Sequence, residues 1–266
     1  MDLDYIQFMK QIKQKIGIDL SLYKEAQMKR RLTSLYRKNG FASFKEFFVG
    51  IEGDSQLMDE FLDKMTINVT EFYRNRSRWD VLENKILPRL LKEKTKLKIW
   101  SAASSTGEEP YTISMILSRY LPLSQISILA TDIDEQALAM AKTGIYSERS
   151  LVEMPETMKK KYFRHEGSFY KISEDIKQTV KFRKLNLLAD QFDSGFDLII
   201  CRNVLIYFTE EAKDSLYKKF STALSHRGVL FVGSTEQIFN PSQYDIEVED
   251  TFFYRKEKID SRNFEA

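Results

Sequence analysis

This chain of 266 residues has little of what builds stapled, metal-bound or membrane-spanning proteins. It carries one cysteine, which excludes a disulfide framework. Cys201 and two scattered histidines, His165 and His226, cannot assemble a structural zinc site, and no metal is expected. Nowhere do eighteen apolar residues run together, so no spanning helix is expected. The start, Met1-Asp2-Leu3-Asp4, lacks the basic flank and apolar run of a signal peptide. An excess of one charge is also missing. With 41 Lys+Arg against 39 Asp+Glu the formal net charge is +2, which removes the simple inference of a nucleic-acid partner. These absences describe a cytoplasmic protein in a reducing compartment. A 42% apolar and 30% charged composition fits a globular chain with one large or two smaller domains.

What is present falls into two grammars. Residues 1–75 repeat apolar side chains at helical spacing, as in Tyr5, Phe8, Met9 and Ile12, or Met28, Leu32, Leu35 and Tyr36. Breaks near Gly17-Ile18-Asp19, Asn39-Gly40 and Gly50 to Ser55 divide this stretch into three to five helices. A further helix at about 78–91 reads as a connector. From Leu97 strands alternate with helices: strands at 97–101, 126–131, 180–185, 196–201, 228–233 and 251–255, and helices at 110–120, 134–143 and 210–224. Such alternation implies a mainly parallel sheet covered on both faces. The polar, tyrosine- and phenylalanine-bearing stretch 144–179 interrupts the rhythm and reads as an inserted subdomain.

In an open α/β sheet, ligands bind at the carboxyl ends of the strands. Here the first such loop is Ser101-Ala-Ala-Ser-Ser-Thr-Gly-Glu-Glu-Pro110. Its small residues admit a close ligand, and Gly107 tolerates backbone conformations that other residues avoid. Glu108 and Glu109 repel phosphate. They either complement the helix dipole or accept hydrogen bonds from an amine or hydroxyls. The second strand ends in Asp132-Ile-Asp134, about where an acid grips ribose hydroxyls. One of the two caps the next helix and the other does the gripping. Together, loop and acid favour a nucleoside held without a phosphate contact, with S-adenosylmethionine the obvious candidate.

Arg202, Asn203 and Tyr207 follow the buried strand 196–201 and fall beside the same pocket. They lack the Asn/Asp-Pro-Pro-aromatic turn of base N-methyltransferases. Cys201 reads as a buried structural thiol. Neither histidine is an attractive general base, and an ionised carboxylate acceptor needs none. In the helical part, Tyr23 to Lys38 holds Lys24, Lys29, Arg30, Arg31, Arg37 and Lys38 against Glu25 alone. This is either a solvated face or a docking surface for an acidic partner. Within Met65-Thr-Ile-Asn-Val-Thr-Glu-Phe-Tyr-Arg74, alternation places Asn68, Thr70, Phe72 and Arg74 on one face, suited to close over a cofactor.

At this point the sequence resembles the CheR family of chemotaxis receptor methyltransferases, the protein-glutamate O-methyltransferases. The resemblance rests on Thr66-Ile-Asn-Val-Thr-Glu-Phe-Tyr-Arg74, Trp100-Ser-Ala-Ala-Ser-Ser-Thr-Gly-Glu-Glu-Pro-Tyr111 and Ala130-Thr-Asp-Ile-Asp134. It continues through Asn186-Leu187-Leu188, Cys201-Arg-Asn-Val-Leu-Ile-Tyr207 and Gly228-Val-Leu-Phe-Val-Gly-Ser-Thr-Glu236. It implies a Rossmann-like S-adenosylmethionine methyltransferase sheet with an inserted small β-subdomain, preceded by an all-α N-terminal domain. The divisions expected are 1–75 for the helical receptor-docking domain, 76–95 for a connecting helix and 96–266 for the methyltransferase domain, with the insert at about 145–180.

The resemblance also implies site residues. The cofactor would lie against Asn68, Thr70, Arg74, Glu109, Asp132, Asn186, Leu187, Arg202 and Asn203, with Arg74 and Tyr207 nearest the transferred methyl group. The basic helix would touch the cytoplasmic helical region of a transmembrane receptor. The expected products are glutamate methyl esters and S-adenosylhomocysteine, made by a monomer that binds no nucleic acid and does not insert into a membrane. A cofactor-sensing module without chemistry would show a broken pocket. An RNA or small-molecule methyltransferase would show a broad basic surface or a closed apolar cavity.

Overall fold

A computed structural model describes residues 2–257. The N-terminal part is helical because its capping residues fall where the apolar periodicity begins and ends. Helix α1 (Leu3–Ile16) starts on Asp2, whose carboxylate accepts the Asp4 and Tyr5 amides, and stops at Gly17 in the left-handed conformation. Helices α2 (Glu25–Lys38), α3 (Phe44–Gly53) and α4 (Ser55–Thr66) follow, with Ser43 and Asp54 capping the latter two. Phe8, Phe44, Phe47 and Phe61 interlock at their centre, with ring centroids 5.1–6.4 Å apart.

The connector is not the plain helix that the sequence suggests. Helix α5 (Arg76–Val81) passes through a π turn at Leu82–Ile86 into α6 (Leu87–Glu93). Pro88 explains the slip. It has no N–H, and its ring would press on the carbonyl four residues back, so the ladder widens just before it and Leu87 N–H reaches Leu82 O.

Then come β1 (Ile99–Ala102), α7 (Glu108–Leu117), β2 (Ile128–Asp132) and α8 (Glu135–Thr143). An insertion follows, of β3 (Ile145–Ser147), α9 (Glu156–Tyr162), β4 (Phe163–Glu166), β5 (Phe169–Ile172) and α10 (Glu174–Lys177). The chain closes with β6 (Val180–Lys184), β7 (Phe196–Cys201), α11 (Glu210–Ala223), β8 (Leu224–Val232), β9 (Ile246–Asp250) and β10 (Phe253–Lys256). The large sheet has the order β6-β2-β1-β7-β8-β10-β9, and the insertion forms its own antiparallel sheet, β3-β5-β4. Five strands are parallel. β10 runs antiparallel to both neighbours, and β9, absent from the sequence expectation, adds the edge. Three of its five residues, Ile246-Glu-Val-Glu-Asp250, are acids, which are depleted in strands, so its propensity signal is weak.

Two apolar clusters lie on the two faces of the sheet. One joins Phe8, Leu32 and Phe61 of the helices to Trp100, Phe196 and Phe220, so the helical part and one sheet face share a continuous core. The other joins Trp79 and Leu87 of the connector to Ile113, Tyr146 and Phe231. A further tie is a short backbone bridge. Lys24 N–H donates to Tyr207 O and Thr209 N–H to Leu22 O, each at 2.9 Å, while the Tyr23 and Phe208 rings pack edge to face at 5.1 Å.

Candidate active site

β1 pairs in parallel with β2 on one side and β7 on the other, so the order in which strands are added reverses there and a crevice opens at the carboxyl ends. The segment from Met65 to Arg74 closes this crevice, with Tyr23, Tyr207 and Phe208 on the opposite side. The cleft holds about 1100 Å³ of space, part of it open to solvent. All ten residues expected at the cofactor or the reacting centre line it: Asn68, Thr70, Arg74, Glu109, Asp132, Asn186, Leu187, Arg202, Asn203 and Tyr207. None of the six basic residues from Lys24 to Lys38 does.

Around this cleft the backbone is unusually bent. Ile67, Tyr73, Asn75, Ala103, Ser105 and Asn203 all have positive φ, from 45° to 61°. Each such non-glycine residue costs on the order of 1–3 kcal/mol, and such strain gathers where a loop must present itself to a ligand. Gly107 (φ 94°) opens α7, and a Cβ there would meet Ala141 and the Tyr146 hydroxyl.

The two acids after β2 divide their tasks. Asp134 caps α8 by accepting the Gln136 and Ala137 amides at 2.9 and 3.1 Å. Asp132 is almost wholly buried and faces the cleft. Its oxygens accept Ser105 N–H at 2.7 Å and Asp134 N–H at 3.0 Å, leaving lone pairs for hydroxyl donors. Burial pushes its carboxyl up to about 6, against the backbone N–H donors that favour the charge.

Asn68 is bonded at both ends of its amide. Its Nδ2 donates to Asp134 Oδ2 at 2.7 Å, and its Oδ1 accepts from Ser105 Oγ at 2.8 Å. Thr66 Oγ1 reaches the same Asp134 oxygen at 3.2 Å. The side chain therefore clasps the 65–74 segment onto the sheet. Nothing in the sequence flagged this clasp, because its partners lie 37 and 66 residues away.

Glu109 and Arg202 form the charged floor. Glu109 accepts from Ser101 Oγ at 2.8 Å and faces Arg202 Nη1 at 3.8 Å. Burial raises its carboxyl to about 7, opposed by the Arg202 guanidinium. Glu108, one residue earlier, turns away into the protein and bonds Thr106, and burial raises it to about 7 as well. Arg202, 3% exposed at its side chain, lies over the rings of Trp79 and Phe231 at 5.0 and 4.8 Å and donates to Arg74 O at 2.8 Å. Its Nε is buried without a protein partner. Arg74 donates from Nη1 to Val69 O at 3.0 Å, which braces the segment that carries it.

At the β6 exit, Asn186 Oδ1 accepts Leu188 N–H, and Lys219 from α11 donates to the carbonyls of Leu187 and Asp190, both at 2.7 Å. Tyr207 lies in a 3-10 turn after β7, its ring under the Arg31 guanidinium at 4.8 Å. Cys201 is fully buried, and burial drives its thiol well above its ordinary value, as befits a packing residue.

The basic residues of α2 separate on inspection. Lys29 pairs with Asp2 at 3.0 Å and Lys38 with Glu60 at 3.8 Å. Lys24 and Arg31 lie toward the Tyr207 turn. Arg30 and Arg37 are exposed and have no ion-pair partner among the described residues.

The bent, acid-lined cleft suits a cationic nucleoside. The model of the CheR methyltransferase S-adenosylmethionine-binding domain matches residues 68–253, and that of the CheR all-alpha domain matches residues 3–66. The chain belongs to the CheR methyltransferase family. It is 44% identical to the chemotaxis protein methyltransferase of Listeria innocua and 45% identical to that of Listeria monocytogenes. Each match spans 257 residues, 96% of this chain and 98% of the relative. The chemotaxis protein methyltransferase of Borreliella burgdorferi is 39% identical over 237 residues, covering 84% of this chain and 83% of the relative. This CheR methyltransferase is thus an S-adenosylmethionine-dependent enzyme of chemotaxis, with the all-α part, methyltransferase sheet and small inserted β-sheet expected from its sequence. The donor set fits that cofactor: carboxylates for its amine and ribose hydroxyls, guanidinium groups for its carboxylate, and the apolar Leu187 side chain for its base.

Proposed function

We propose that the enzyme methylates glutamate side chains in the cytoplasmic helical region of transmembrane chemotaxis receptors, releasing S-adenosylhomocysteine and leaving methyl esters. One observation carries the choice of acceptor: among the described residues no histidine, lysine or cysteine lines the cleft, and its buried carboxylates are engaged, Glu109 by Ser101 and Arg202 and Asp132 by the Ser105 and Asp134 amides, which favours an acceptor that needs no deprotonation. A carboxylate is already ionised. S-adenosylmethionine supplies an electrophilic methyl group whose sulfonium leaves without protonation.

The residues of the chain then have positioning tasks. Asp132 accepts ribose hydroxyls, and Asn186 and Leu187 flank the base. Glu109 with Arg202, and Thr70 and Asn203 beside them, hold the amino-acid end. Arg74 orients the acceptor carboxylate and Tyr207 donates a hydrogen bond near the methyl group. Arg74 works by orientation, because a tight ion pair would weaken the nucleophile. Bringing the two reactants into line and excluding water supplies most of the acceleration. Asn68 serves the same site from behind, as the clasp that holds Thr70 and Arg74 over it.

Residues 1–75 act in this proposal as a receptor-docking domain, 76–95 as a connecting helix and 96–266 as the methyltransferase domain, with the insert at about 145–180. Lys24, Lys29, Arg30, Arg31, Arg37 and Lys38 face the acidic receptor. The enzyme works in the cytoplasm as a monomer. The described residues contain no helix long and apolar enough to cross a membrane. Incubation with tritiated S-adenosylmethionine and receptor-bearing membranes should label the receptor, and mild base should release the label as methanol. Base-stable label, or none, overturns the assignment.

A further inference from the structure

Beneath the Tyr207 turn sits a carboxylate with no cation in contact. Glu236, on the loop after β8, is 4% exposed. Its Oε2 accepts Asn203 N–H and Gly233 N–H, both at 2.7 Å, and its Oε1 accepts Ile206 N–H at 3.2 Å. Among the described residues it has no ion-pair partner. The ionisable groups around it are Arg202 and Glu109 from the cleft side, Cys201 on β7 and Tyr217 on α11.

A buried carboxylate is expensive unless something replaces its water. Here the replacement is backbone. The positive φ of Asn203 (61°) curls the chain so that its N–H and that of Ile206 turn to the same carboxylate, where the N–H of Gly233 joins them, a concavity that binds anions. The anion is supplied from within the chain. Space around it is tight, since a Cβ on Gly233 would press on both Glu236 Oε2 and Asn203 N.

The stretch held this way, 202–207, contributes Arg202, Asn203, Val204 and Tyr207 to the cleft. We infer that Glu236 is a positioning residue for methyl transfer, its carboxylate fixing the Asn203–Tyr207 turn so that Tyr207 stands at the reacting end of the cleft. This rests on the place given to Tyr207 above. Asn203 is the one residue of the proposed cofactor contacts that Glu236 bonds, and it does so through the backbone N–H; the 65–74 segment, Asp132 and the Asn186–Leu187 wall have no hydrogen bond to Glu236, so cofactor affinity responds far less than turnover.

The test is Glu236→Gln, which keeps size but sets an amide among three N–H donors, measured with wild type on receptor-bearing membranes. Turnover falls about 100-fold, the size of effect that a misplaced reacting group produces. The dissociation constant for S-adenosylhomocysteine, read by calorimetry, stays within about threefold. Gly233→Ala, which displaces the carboxylate without removing it, gives the same split and stands in if the first variant does not fold. Turnover within about threefold of wild type, or turnover and cofactor affinity lost together in both variants, overturns the inference. A wild type that labels no receptor removes the acceptor assignment, and this inference with it.

Discussion

Arg202 at the exit of β7 and Arg30 and Arg37 on the outer face of α2 carry the same guanidinium in opposite surroundings. Arg202 lies against two aromatic rings, bonded to a backbone carbonyl and set against Glu109. The two arginines of α2 are exposed and have no ion-pair partner among the described residues. A buried charge costs several kcal/mol to desolvate and persists only where its surroundings are built for it. A solvated charge costs almost nothing, so its presence alone says little. The cleft therefore testifies to its use through structure, whereas α2 does so only through the clustering of its charges.

Four experiments would break or sharpen that contrast. The largest effect is expected from Arg202→Met, which leaves Glu109 without its partner. It should cost about 3 kcal/mol in urea denaturation and abolish measurable turnover. Arg202→Lys should not restore activity, because an ammonium lacks the planar group that lies over Trp79 and Phe231.

Next is Glu109→Gln, which should weaken S-adenosylmethionine binding about tenfold at pH 8, a charged hydrogen bond being replaced by a neutral one. In the wild type this carboxyl, raised to about 7, takes up its proton as pH falls. Affinity should therefore drop from pH 8 to pH 6 in the wild type and stay nearly flat in the variant, as calorimetry can record. Stability runs the other way. A carboxyl whose pKa is raised on folding contributes most below its ordinary value of 4.5, and that contribution disappears as pH rises through about 7. The melting advantage of ligand-free wild type over Glu109→Gln should shrink across that interval.

A smaller effect is expected from Asn68→Ala, which opens the clasp between the 65–74 segment and Asp134. It should destabilise the protein by about 1–2 kcal/mol and raise the dissociation rate of S-adenosylhomocysteine in stopped flow more than it slows association. The smallest is expected from Arg30→Glu with Arg37→Glu. The apparent KM for receptor should rise roughly fivefold at low salt, the difference should fade at high salt, and stability should change by less than about 0.5 kcal/mol. Arg31 is left out of this pair because its guanidinium lies on the Tyr207 ring, where reversal would mix docking with chemistry. A large loss of stability from the α2 pair, or none from Arg202→Met, would dissolve the contrast.

Much of this was legible in the residues, and the reason is locality. The breaks read near Gly17 and across Gly50 to Ser55 hold because the caps there, Gly17 and Asp54, have partners two to four residues away. Buried strands such as Phe196–Cys201 announced themselves as apolar runs. Eight of the ten cleft residues were legible from strand exits and one short segment, whereas Asn186 and Leu187 came with the family resemblance alone. Where the decisive partner is distant, the sequence was silent. Whether Asp132 or Asp134 capped α8 stayed open until the amides of Gln136 and Ala137 turned to Asp134. Glu236 acts on a segment about thirty residues earlier through backbone groups that no side-chain pattern reveals. The α2 cations looked alike in one dimension and differ only because Asp2, Glu60 and Tyr207 come to meet some of them.

The bridge between Leu22–Lys24 and Tyr207–Thr209 makes the basic helix and the Tyr207 turn consecutive links of one mechanical chain. Lys24 is the residue immediately before α2, and its amide hangs on the carbonyl of Tyr207 itself. A load placed on the outer face of α2 is thus delivered through two backbone hydrogen bonds to the turn that bears the phenol.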